Sequence, residues 1–465
     1  MSTENEGVVA LPEAGVPADQ GLASLGLVMQ LGGTVFAAGA TLIAFMQLVD
    51  RYSRSGAMWM LLVLALCVGR SLYHRVAGAE LLYGRPTGLG TTAPGPFTAM
   101  RRYIVLGLVQ SVVVALIANL ALHVPARNAF GFAVALALWP LVLAAFLGTR
   151  RFRRFATEIP MGEDKGFEGA AILMTVLGVC GALATGTFLV MLVDEGGNLI
   201  SHGFGVLLMF ALVMLLIRSV LHVQAGLSGL RETSLDRAVE RANRYANFGV
   251  ISAFCASGAL LLMMMAERVD LLGFVVITGV CWMLLTWPMI VRRFFSDRQF
   301  ADLLAGDNAV VHRRAPDAGL TGLGWFLLAH AVFSAAVLMP ALIGGSDPQG
   351  RMWEVFAFGL PMMRSIWWSV GLVTLQAWAG YELIRMSPSS RVIGTLYGIL
   401  AVVITSYLVW PAWEIIKDLH GLRAKSVMLL GPIAIQFVVP VSTLLLVNRT
   451  IAPTARARFR TRSAP

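Results

Sequence analysis

AMWMLLVLALCVGRSLYHRVAGAELL, residues 57–82, decides the fold. Its first thirteen residues carry no charge and no polar side chain. An amphipathic helix of a soluble protein shows a polar face at every turn, and residues 57–69 have none. As a helix the stretch spans roughly 39 Å at 1.5 Å per residue, enough to cross a hydrocarbon core of about 30 Å. It reads as a transmembrane helix with its polar residues, Arg70, His74, Arg75 and Glu80, toward one end.

The same character recurs along the 465-residue chain. Further apolar runs lie at 24–49, 103–124, 128–148, 167–193, 202–227, 247–266, 269–291, 319–343, 353–384, 391–413 and 425–447. The chain is 57% hydrophobic and 13% charged, with a mean hydropathy of +0.74. Soluble domains carry about 25% charged residues. The composition excludes an ordinary soluble enzyme, a disordered protein and a disulfide scaffold. The fold class expected is an all-α polytopic membrane protein of about twelve transmembrane helices.

Charge sets the expected orientation. With a cytosolic N-terminus, Lys and Arg are in roughly threefold excess on the cytosolic side, the positive-inside pattern. Trp59, Trp353 and Trp413 then fall at outer ends, where an aromatic belt sits. Both termini are placed in the cytosol. The near-exclusive use of Arg over Lys suits a bacterial chain and hence the inner membrane. Residues 1–22 are acidic, lack the basic start of a signal peptide, and read as a disordered tail. Residues 449–465 form a basic tail. The net charge of +10 sits in short loops, which suits anionic lipid and not nucleic acid.

The chain repeats itself. Arg70-Ser-Leu-Tyr-His74-Arg-Val-Ala77-Gly78 returns 148 residues on as Arg218-Ser-Val-Leu-His222-Val-Gln-Ala225-Gly226. Ala379-Gly380-Tyr-Glu382-Leu echoes Ala77-Gly78-Ala-Glu80-Leu. Gly131-Phe132 and Gly273-Phe274 open spans that close with Arg150-Arg-Phe152 and Arg292-Arg-Phe294. The expected domains are three four-helix repeats, 23–165, 166–316 and a diverged 317–448. An even span count inserts each the same way up, about an axis normal to the membrane.

Six polar residues within spans are the candidate binding residues. Arg70 with His74, and Arg218 with His222, share a helix face with the Ala-Gly pair, whose small side chains admit another backbone. Arg70 sits about 20 Å below the outer end of its helix. A snorkelling arginine is the plain account; a cytosolic-facing anion or head-group site is the functional one. The third repeat has Leu372 and Gln376 at the matching places. Arg364 follows Pro361 and is the deepest cation; His330 lies mid-span. Asp50, Asp194 and Asp347 read as loop caps at outer ends. Residues 230–245 read as a short interfacial helix.

No metal-ligand spacing, phosphate-binding loop or nucleophile–base pair appears, so the sequence implies no cofactor, no metal and no catalytic residue, and leans away from an enzyme. Two function classes remain. One is a transporter or permease for a small molecule or anion, with its site at the repeat axis. The other is a non-transporting scaffold or assembly subunit contacting lipid or a soluble protein partner.

Overall fold

A computed structural model describes residues 22–49, 54–83, 98–147, 167–199, 204–231, 235–267, 271–295, 318–344, 362–385, 387, 389–418 and 423–450. They form twelve helices: α1 Leu22–Val49, α2 Arg54–Tyr83, α3 Thr98–Leu120, α4 Ala126–Leu147, α5 Phe167–Leu199, α6 Phe204–Arg231, α7 Leu235–Glu267, α8 Leu271–Phe295, α9 Ala318–Gly344, α10 Met362–Arg385, α11 Ser390–Asp418 and α12 Arg423–Thr450. No strand occurs among the described residues. Eight of these helices, α1 to α7 and α11, hold an apolar stretch long enough to cross a membrane. The apolar stretches of α9 and α12 are shorter, Leu320–Ala336 and Gln436–Asn448. The protein is an all-helical integral membrane protein.

One helix differs from expectation in kind. Of residues 230–245, expected to form a short interfacial helix, 230 and 231 end α6, and 235–245 run without a break into the span as the first three turns of α7. The face bearing Ala238, Val239, Ala242, Tyr245 and Ala246 is buried, which is why the segment continues the helix into the bundle. Its opposite face carries an exposed Arg244–Glu240 ion pair at 3.1 Å. The expected start of the tenth span, the Pro361 kink, and Asp50 and Asp347 lie outside the described residues.

Sequential helices pack on each other within α1–α4, α5–α8 and α9–α12. Three contacts join distant segments: α4 lies on α9, α8 on α1, and α12 on α5. The innermost helices are α1, α5 and α9, which also touch one another. Ser24, Gly169 and Gly322 meet at one end of these three helices: a Cβ added at Gly169 would lie 3.5 Å from the Gly322 Cα and 3.0 Å from the Ser24 Cβ. Only residues this small allow three backbones to converge.

Glycine also brings each inner helix against its successor. A Cβ at Gly78 would stand 2.7 Å from the Gly26 carbonyl of α1. One at Gly226 would stand 2.6 Å from the Thr175 amide of α5, and one at Gly380 2.8 Å from the Gly324 carbonyl of α9. The neighbouring Ala77, Ala225 and Ala379 are buried in the same seams. The Ala-Gly pairs do admit a second backbone.

Two glutamates near span ends hold the next helix in the chain. The Glu80 carboxylate accepts the amides of Ala99 (2.9 Å) and Met100 (3.3 Å), donors at the start of α3 that no helical carbonyl can reach. Glu382 accepts the hydroxyls of Ser389 (2.9 Å) and Ser387 just before α11, and the Trp378 indole N–H at 3.2 Å. At the other membrane face α3 turns tightly into α4. His123 takes a left-handed conformation, φ 53°, and the Val124 amide closes the helix end on the Ala118 carbonyl at 2.9 Å.

Candidate functional site

Pro140 inside α4 has no N–H, so the carbonyl of Leu136, four residues earlier, loses its helical donor. Arg70 of α2 supplies one: its Nη2 donates to the Leu136 oxygen at 2.5 Å. The guanidinium lies over the Tyr103 ring of α3, 5.9 Å from its centroid. Gly107 of α3 leaves room for the proline, since a Cβ there would stand 2.7 Å from the Pro140 Cγ and 3.6 Å from the Arg70 Nε. One turn along α2, His74 accepts the Trp139 indole N–H on Nε2 at 3.0 Å and stacks on Tyr103 at 4.8 Å and 14°. An indole nitrogen can only donate, so the proton of a neutral His74 sits on Nδ1. Gln110 donates to Cys67 Sγ at 3.6 Å above this group.

The same assembly stands in α6–α8. His222 accepts the Trp287 indole N–H at 2.7 Å and stacks on Tyr245 of α7 at 4.1 Å and 4°. Pro288 follows Trp287 in α8, as Pro140 follows Trp139 in α4. A Cβ at Gly249 would stand 2.8 Å from the Pro288 Cγ and 3.8 Å from the Arg218 Nε. Arginine, histidine, tyrosine, glycine, tryptophan and proline recur in one arrangement, each pair separated by 142 or 148 residues.

Neither arginine is fully satisfied. The Nη1 of Arg70 and the Nη1 of Arg218 are buried and meet no hydrogen-bond acceptor in the protein. Among the described residues no carboxylate forms an ion pair with either.

The third assembly is rebuilt. Leu372 and Gln376 of α10 take the arginine and histidine positions, Val439 takes that of the tryptophan, and Tyr397 and Pro440 remain. Leu372 and Tyr397 lie in one apolar cluster with Val438. Gln376 reaches the other way, to α9, where its Nε2 donates to the Leu327 carbonyl at 3.3 Å and to His330 Nδ1 at 2.8 Å. His330 is thus tied into the α9–α10 seam.

The six candidate residues therefore occupy separate places. Arg70 and His74 lie between α2, α3 and α4, Arg218 and His222 between α6, α7 and α8, and His330 against α10. None of these five sits where α1, α5 and α9 converge. Arg364 lies in α10 with its side chain outside the described residues. Both stripe arginines turn into the bundle toward a proline. Tyr103, Tyr245, Trp139 and Trp287 complete the two sites and were not singled out from sequence. The Trp-Pro pair at 139–140 and 287–288 shares the 148-residue offset of Arg-Ser and would have found the tryptophans. Among the described residues, no three His, Cys, Asp or Glu side chains gather as a metal site would need. No protein-family model, curated protein or solved structure matches the chain.

Proposed function

We propose that this membrane protein is a transporter or permease for a small molecule. In this reading α1–α4, α5–α8 and α9–α12 are three parallel units, and Ser24, Gly169 and Gly322 close the cytosolic end of the axis between them. The termini are cytosolic and the membrane is a bacterial inner membrane. The observation that carries the reading is uneven packing of the inner helices. α1 has α2, α5, α8 and α9 around it. Yet Val35 and Phe36, halfway along it, are 38% and 48% exposed, and nothing lies within 4 Å of a Cβ at Gly39. Phe333 of α9, 5.8 Å from Phe36 between ring centroids, is 48% exposed as well. In the transport reading, inner helices that touch at one end and part toward the other would form a vestibule open to one side, as alternating access requires in each of its end states.

The scaffold reading draws on the same closure and on the internal hydrogen bonds of His74, His222 and Arg70, which a purely structural core would also make. Thiol accessibility separates the two. Cys67, Cys180, Cys255 and Cys281 are first replaced. Single cysteines then go to Val35 and Phe333 in the parted region, and to Leu27 and Leu323 in the closed one. A membrane-impermeant thiol reagent is expected to label positions 35 and 333 from the outer face only, and 27 and 323 from neither. Labelling of none of the four means that lipid fills the gap, and the transport reading is lost.

A further inference from the structure

The site between α6, α7 and α8 has more unused binding capacity than its twin. Arg218 is 9% exposed and Tyr245 1% exposed. Arg218 lies about 20 Å along the helix from the start of the apolar stretch Gly205–Gly229. The Tyr245 hydroxyl lies beside the guanidinium, close enough for the two to interact. Two donors, Arg218 Nη1 and Tyr245 Oη, therefore sit together in the interior, each without a protein acceptor. A buried polar group left unpaired costs about 1–3 kcal/mol, and a buried charge more. One acceptor satisfies both if it is negative, small enough to fit and able to take two hydrogen bonds.

The surrounding chemistry narrows that acceptor. The His222 ring is held from one edge by Trp287 and covered on one face by Tyr245, so the site has rigid walls. The Trp287 indole is spent on the histidine, which leaves guanidinium and phenol as the donors. A guanidinium and a neighbouring hydroxyl suit the oxygens of a carboxylate or phosphate.

We propose that Arg218 and Tyr245 form a binding site for an oxyanion, a carboxylate or phosphate group, inside the α6–α8 bundle. The group enters either as a free small anion or as the head of an amphiphile arriving through the bilayer. The site stands apart from the transport reading, because a scaffold could hold such a group as a fixed component.

The test uses the full chain purified in a neutral maltoside detergent. Its unfolding temperature is followed against acetate, inorganic phosphate and decanoate at constant ionic strength, with chloride as the balancing ion. Saturable stabilisation by acetate or phosphate identifies a free anion, and by decanoate alone an amphiphile. Tyr245→Phe keeps the stacked ring and deletes the hydroxyl. It is expected to raise the half-saturating concentration about tenfold, the worth of one hydrogen bond to a charged group. Arg218→Gln is expected to abolish the response. Tyr407→Phe, at an exposed position of α11, is the control for loss of a hydroxyl elsewhere and is expected to shift it less than twofold. Absence of saturable stabilisation by all three probes overturns the proposal, as does a Tyr245→Phe response equal to that of the unaltered chain.

Discussion

Trp287 donates to the buried His222 at 2.7 Å, and Trp139 does the same for His74 at 3.0 Å. Interhelical hydrogen bonds in membrane proteins contribute about 0.6 kcal/mol on average and up to roughly 1.7. Trp287→Phe should therefore cost about 1 kcal/mol, seen as a lower unfolding temperature in detergent. An unchanged temperature would show that the imidazole finds another donor. His123, with its φ of 53°, makes the opposite prediction. A left-handed residue with a Cβ is strained by about 1–2 kcal/mol, and glycine is not. His123→Gly should stabilise the α3–α4 turn by about 0.5–1 kcal/mol in the same assay. At this scale the sequence told part of the story. Arg70, His74, Arg218 and His222 stood out because charge inside an apolar run is rare. What they bond to did not, because the partner of Arg70 is a main-chain carbonyl. That carbonyl is released by Pro140, 70 residues from Arg70, and no property of Leu136 itself advertises it.

Glycine seams hold the inner helices to their successors, and the distances say which glycines matter. A side chain at Gly226 would meet the Thr175 amide and the Ala171 carbonyl at 2.6 and 2.7 Å, rigid backbone that cannot yield. Gly226→Val should part α5 from α6 and cost about 3 kcal/mol or more, the upper range for overpacking. Gly258 of α7 faces open space, with nothing within 4 Å of an added Cβ. Gly258→Ala should stabilise by up to about 1 kcal/mol through helix propensity alone. Chemical denaturation of the two variants side by side checks both signs, and similar losses would refute the seam. The helices were largely visible in the hydropathy of the chain, most of them ending within a few residues of the apolar runs. The exception was α7. Polar residues 230–245 looked like a separate surface element because one face of that segment is charged. Continuity with the span depended on the buried face finding α8, a tertiary fact absent from local composition.

The closed end of the molecule brings Ser24 of α1 and Gly169 of α5 together, although 145 residues separate them. A Cβ at Gly169 falls 3.0 Å from that of Ser24, about half an ångström short of the roughly 3.5–4.5 Å range of a disulfide. In a chain freed of native cysteines, Ser24→Cys with Gly169→Cys should cross-link under mild oxidation. After cleavage at a protease site inserted between α4 and α5, the two fragments should migrate together without reductant and apart with it. Separate fragments in both lanes would place α1 and α5 elsewhere. The internal similarity of the chain hinted at related segments but not at their neighbours. Contacts of α4 with α9, α8 with α1, and α12 with α5 join residues far apart in sequence, where no periodicity reaches. These same contacts also place the prolines. α4, α8 and α12 carry Pro140, Pro288 and Pro440, and each of these helices is a wall shared with an inner helix of another segment. The three shared walls follow one another round a closed ring, first segment on third, third on second and second on first, so that no segment can be drawn out without stripping a wall from another.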